Sequence, residues 1–144
     1  MNKLLDKDPP FFADNLALDL VNTMVCVNGE RYDFLQTDAD VLQWMGLAGL
    51  IPADYPLTST MGADSALLHY LKKLRTFINE QLDKLKSGQK PDIKQINQLL
   101  SEYPLFHCLE VSAEGEIQLV NQHVTKNLKS LLYPVVLATA QLMA

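Results

Sequence analysis

Basic charge is scarce in this chain and nowhere concentrated. Its 12 Lys and Arg residues are outnumbered by 17 Asp and Glu, for a formal net charge of −5 and an isoelectric point near 5.0. Duplex affinity comes largely from Lys and Arg neutralising phosphates, so this balance speaks against nucleic-acid binding by the segment. The basic residues at 72–75 and 84–90 are offset by Glu80 and Asp83 and read mainly as solvated helix positions. Cysteine is equally sparse. Cys26 and Cys108 form no CxxC pair, and they fit buried free thiols in a reducing cytoplasm. His107-Cys108, with His123 beyond, lacks the close-spaced ligand pairs of a zinc site, so no metal and no cofactor is expected. No Ser/His/Asp order, reactive-cysteine context or phosphate loop is present, which points to a binding protein rather than an enzyme. No run reaches the ~20 apolar residues of a membrane span. The nearest, Leu128 to Ala144, is interrupted by Lys129 and Pro134 and reads as a buried helix, while Met1 to Pro10 is too polar for a signal peptide. No membrane contact and a cytoplasmic location follow as expectations.

What the chain does have is enough apolar material for one core. Hydrophobic residues make up 48% of its 144 positions, the mean hydropathy is +0.00, and a chain of this size buries roughly 68% of its unfolded surface. A single domain over 1–144 is expected.

Local signals divide that domain. Asp14 or Asn15 can cap a first helix ending near Met24, and Asn28-Gly29 is a strong turn signal before an extended or irregular link at Tyr32 to Leu35. Thr37-Asp38-Ala39-Asp40 has capping-box form, opening a helix with Val41, Leu42, Met45 and Ala48 inward, which Gly49 and Pro52 end. A loop over Ile51 to Gly62 leads to a long amphipathic helix from Ala63 or Asp64 to about Lys86, with Leu67, Leu71, Leu74, Ile78, Leu82 and Leu85 on one arc. Ser87-Gly88 ends it, and Pro91 opens a shorter helix carrying Ile93, Ile96, Leu99 and Leu100. The period then changes to two. Leu105 to Val111 and Glu116 to Val120 flank Ser112-Ala113-Glu114-Gly115 as a β-hairpin, and since two strands alone are marginal in water it should pack on helices. A last helix from about Val124 must kink or restart at Pro134; it reaches Ala144 without a cap, as though the functional unit continued. The predicted fold class is α+β, a mainly helical single domain with a β-hairpin packed on the helices.

The first helix has an unusual polar side. At 100° per residue Asn15, Asp19, Asn22 and Thr23 share one narrow arc, where a solvated face would carry Lys and Glu. Short side chains with directed hydrogen bonds in an apolar helix suggest a polar site. Arg75 lies within or at the edge of the long helix's apolar arc, so it either snorkels to water along its methylenes or meets an acceptor within the core, for which Asp19 is the obvious candidate. Two arrangements stand open: a structural Asp19–Arg75 pair, or a pocket where Arg75, Asn22 and Thr23 hold a small polar or anionic ligand while Asp19 orients the arginine. Asp33, isolated between apolar neighbours, either caps a turn or joins the ligand contacts. Trp44 reads as core, its indole N–H needing one acceptor.

These residues carry a family resemblance. Asn15 to Thr23, Asp33-Phe34-Leu35, Thr37 to Leu42, Trp44-Met45 and Ala48-Gly49-Leu50 resemble the ABATE domain of the CGNR zinc-finger family, proteins described as stress-induced transcription regulators. Leu71 to Ile78, with Arg75 at the position of that family's helix arginine, extends the likeness; the hairpin and the last helix match only in outline. The resemblance implies a bacterial, cytoplasmic regulator in which this domain senses a signal and a zinc finger contacts DNA or another partner. No such Cys-rich segment lies within these 144 residues. The expected function is therefore ligand sensing through Asp19, Asn22, Thr23, Arg75 and Asp33. The alternative is an interaction module, with apolar helices forming a homodimer and the Asp–Arg pair purely structural.

Overall fold

The computed structural model describes residues 8–11, 13–52, 55, 66–124 and 127–144. Among the described residues, five α-helices and two antiparallel hairpins run in the order α1 (Leu16–Val21), β1 (Met24–Val27), β2 (Glu30–Asp33), α2 (Asp38–Leu47), α3 (Ala66–Lys86), α4 (Ile93–Ser101), β3 (Leu105–Val111), β4 (Ile117–His123) and α5 (Tyr133–Met143). The architecture is the α+β domain expected, with one more hairpin than the sequence suggested. The loop expected over 51–62 and the proposed start at 63–64 lie largely outside the described residues.

The first helix is shorter than predicted. Asn15 caps it, its Oδ1 accepting from the amides of Ala17 at 2.9 Å and Leu18 at 3.1 Å. Only six residues later the chain leaves the helix, and Met24 enters β1 instead of closing α1. The cause lies downstream. Asn28 and Gly29 both take positive φ, +53° and +81°, the conformation a two-residue type I′ turn requires, and that turn pairs Met24–Val27 with Glu30–Asp33. The turn signal was legible, but four residues on each side were too short to show a strand period. Both cysteines are free, but neither is buried as expected: Cys26 is exposed on β1 and Cys108 is half-buried on β3.

The second helix begins as the sequence prescribes. Asp40 donates its amide to the Thr37 hydroxyl at 3.2 Å, and its carboxylate accepts the Thr37 amide at 2.9 Å. Asp38 reaches across to accept the Leu68 amide, an orphan donor in the first turn of α3, at 3.2 Å. Val41, Trp44 and Met45 are buried, and Gly49 at φ +75° ends the segment. Phe11 stacks on Trp44 with ring centroids 5.8 Å apart. The Trp44 Nε1 is buried without a hydrogen-bond partner among the described residues.

The long helix α3 is the spine. Leu67, Leu71, Leu74 and Ile78 enter the core as their arc predicts, Leu82 is half-buried, and Leu85 is exposed where the helix outruns the body. Two polar residues share the buried face, Arg75 and Gln81. Gln81 accepts the Asp92 amide through its Oε1 at 2.6 Å, fastening the link between α3 and α4. Pro91, expected in the first turn of α4, precedes the cap residue Asp92. Helix α1 packs between α3 and α5, α2 lies on α3, and α4 lies on α5. A single 3₁₀ turn at Ser130–Leu132 precedes α5. The last helix thus restarts at Pro134, which occupies its first turn, and does not begin near Val124.

The second hairpin runs further than expected, its return strand continuing to His123. Its base is anchored on the helices: the His123 ring lies 5.0 Å from that of Tyr133 on α5, and His123 Nδ1 is 2.9 Å from the Tyr103 carbonyl. Beyond the base the strands stand clear, with Leu109, Val111, Ile117 and Leu119 all exposed. Packing on the helices is therefore confined to the base of the arm.

Replacing Thr37 by Ala should lower unfolding free energy by about 0.5–2 kcal/mol, because it frees the Asp40 amide at the start of α2. Chemical denaturation with an unchanged far-UV spectrum checks this.

Candidate functional site

Arg75 meets Asp33, not Asp19. Its Nη1 donates to Asp33 Oδ1 at 2.8 Å and its Nη2 donates to Asp33 Oδ2 at 2.7 Å, a two-pronged pair between the middle of α3 and the end of β2. Nη1 also donates to the Thr23 hydroxyl at 2.8 Å. That hydroxyl donates in turn to the Leu20 carbonyl at 2.6 Å, and the Thr23 carbonyl accepts the Phe34 amide at 2.9 Å. The Arg75 side chain is 7% exposed and that of Asp33 is 18% exposed, so the pair sits at the inner edge of the surface. Lys72, one turn earlier on α3, stands 3.8 Å from Asp33 Oδ2 and is more open.

Backbone geometry places each member. Thr23 lies just past the end of α1, where the chain turns outward into β1. Asp33 ends β2 opposite Met24, so the first hairpin delivers Asp33 back beside Thr23. Asp33 also accepts the Leu35 amide at 2.8 Å, the turn-capping role the sequence allowed, and Leu35 drops into the core. Capping and ion pairing are thus two uses of one carboxylate.

The other members of the α1 arc go elsewhere. Asp19 is buried and accepts the Ala13 amide at 3.2 Å, holding the chain that enters α1. Asn15, besides capping, donates from Nδ2 to the Ala138 carbonyl of α5 at 3.3 Å. Asn22 is the C-terminal cap residue of α1, and its side chain makes no hydrogen bond among the described residues. The expected Asp19–Arg75 pair is therefore replaced by Asp33–Arg75, and Thr23 touches Arg75 directly with no gap between them. The angular arc could not show this, because a six-residue helix ends before Thr23 and the hairpin brings in a nearer carboxylate.

Burial pushes the Asp33 carboxyl up. The hydrogen bonds from Arg75 and the Leu35 amide, with the charges of Arg75 and Lys72, outweigh it and leave Asp33 below the ordinary carboxylate value. A depressed native pKa stabilises the fold above the unfolded-state value of about 3.9 and loses that contribution as pH falls through the native value.

On α3, an open depression of about 450 Å³ is lined by His69, Lys72, Lys73, Thr76, Phe77 and Glu80, of which Lys72 also faces Asp33. Among the described residues no group of three or more His, Cys, Asp or Glu is placed to hold a metal ion, and no helix is long and apolar enough to cross a membrane.

Arg75→Ala should cost about 3 kcal/mol, the low end for breaking a buried pair, because Asp33 keeps some solvent. The same variant should show a smaller fall in stability below about pH 4 than the parent chain, since Asp33 no longer has a depressed pKa to lose. Denaturant titrations of both proteins across that pH range read out the two effects together.

The Thr23–Asp33–Arg75 cluster unites the segments that carried the resemblance in the sequence. Comparison with known families agrees: the ABATE family, whose description reads "Putative stress-induced transcription regulator", matches residues 14–144. No curated protein and no solved structure matches the chain. The match takes in α1, both hairpins and every helix to the end of α5, and the chain belongs to the ABATE family.

Proposed function

We propose that this domain is the regulatory part of a transcription regulator and acts through protein contacts made by the β3–β4 arm, with Arg75–Asp33 as the internal lock of its body. The carrying observation is the arm's exposed apolar surface, which has no role in the core. The guanidinium supports the same reading, since its two prongs are already occupied by Asp33 and Thr23. The net charge of −5 favours protein contacts over phosphate contacts. The reading is of a cytoplasmic binding protein, not a catalyst.

Ligand sensing is the second reading, and the depression beside Lys72 favours it. An anion held by Lys72 would compete for the cation that now faces Asp33 and would loosen the lock, biasing α3 against the first hairpin. In this form the contacts move outward from Asn22 and Thr23 to Lys72 and Asp33.

Leu109→Glu together with Leu119→Glu, introduced in the cell at unchanged protein level, should shift the stress-dependent transcript profile to that of a strain lacking the protein. A profile equal to that of the unmodified strain would rule out the arm as the working surface. For the ligand reading, a thermal-shift screen with inorganic phosphate and short dicarboxylates should give stability changes that Lys72→Ala suppresses; shifts unaltered by that substitution would place binding elsewhere.

A further inference from the structure

The arm is built to pair with itself. Side chains alternate across a strand, and the register pairs Leu109 with Leu119 and Val111 with Ile117 on one face. These four aliphatic side chains are 69–74% exposed and form an uncharged square near the tip. On the body side of the square the same face carries the row His107–Asn121, and on the tip side the turn carries Glu114 and Glu116. The opposite face is mixed: Phe106, Cys108 and Val120 lie toward the base, Glu110 and Gln118 face each other nearer the tip, and Gln122 donates to Glu110. A seven-residue arm anchored at its base and open over most of its length leaves a two-stranded sheet that is marginal alone in water.

We infer that the Leu109–Val111–Ile117–Leu119 square is the contact through which two copies of this chain pair face to face about a two-fold axis, an inference that rests on the interaction reading above. Polarity matching selects a second copy. A two-fold passing through the square lays aliphatic on aliphatic, and it carries the acidic turn of each arm over the His107–Asn121 row of the other. Any parallel alignment would instead stack Glu114 and Glu116 on their own mates. Charge argues in the same direction: the arm reaches out from a chain of net charge −5, so two such bodies meet through an uncharged aliphatic patch set away from the rest of the chain. An anionic lipid surface or a nucleic acid would meet the same acidic turn without that relief. At about 3.4 Å per residue the arm is roughly 24 Å long, so one face covers less than the ~800 Å² per partner of a standard interface. The dimer is therefore a dissociable one.

Sedimentation velocity of the full chain, from low micromolar to near-millimolar concentration, tests this. The unmodified chain should pass from monomer to dimer, and Leu109→Glu and Leu119→Glu should each weaken association at least about tenfold. Leu119→Thr, which keeps strand propensity, should weaken it without altering the far-UV spectrum. Ile93→Glu, at an exposed apolar position on α4, should leave association unchanged. A chain that stays monomeric throughout, or arm variants that associate like the parent, would overturn self-pairing. The interaction reading fails separately, through an unaltered transcript profile in cells carrying the arm substitutions.

Discussion

One guanidinium joins three parts of the chain that are distant in sequence. Arg75 projects from the buried face of α3, and its fork closes on Asp33 at the end of β2 while one prong holds the hydroxyl of Thr23 at the exit of α1. A charge on that face is tolerable only because the carboxylate and hydroxyl meet it in good geometry. The first hairpin is shaped to provide them. Its tight Asn28-Gly29 turn returns Asp33 to the level of Thr23, and the Phe34 amide then bonds the Thr23 carbonyl, so the hairpin is stitched to the helix exit on both sides of the ion pair.

The polar arc of α1 illustrates how one sequence feature can serve several ends. Asn15 caps the helix and reaches α5, Asp19 receives the chain before the helix, and Thr23 receives the arginine. Each of these short side chains satisfies backbone or charged groups that burial would otherwise leave costly. Together they orient α1 between α3 and α5, which accounts for a composition unlike that of a solvated helix face. The site is then a junction of the fold whose outer rim, at Lys72, is the part open to solvent.

The two hairpins are put to opposite uses. The first is tied to the body at its end, by Asp33 and by Leu35 just beyond it, while most of its strand residues are exposed. The second is held at its root by His123 against Tyr133 and carries its aliphatic residues outward. In this member of a family described as transcription regulators, the body is held together from within and the arm leaves its aliphatic face exposed.

Much of this was legible locally. The Thr37 to Asp40 box, the Asn28-Gly29 turn, the arc from Leu67 to Ile78 and the alternation of Leu105 to Val111 depend on neighbours a few residues apart, and such patterns survive in a linear text. So did the question of a partner for Arg75, since a cation in an apolar arc must either reach water or be paired. Which acid could not be read. Asp19 and Asp33 are chemically equivalent, and the choice between them turns on where a hairpin returns the chain, 42 positions from the arginine. The exposure of Cys26 and of the second arm was likewise set by what other segments leave uncovered. Sequence alone determined the course of α2 and α3, the Asn15 and Thr37 caps, the Asn28-Gly29 turn and the second hairpin; tertiary structure decided the first hairpin, the partner of Arg75 and the open face, because these are properties of distances between segments that no local period records.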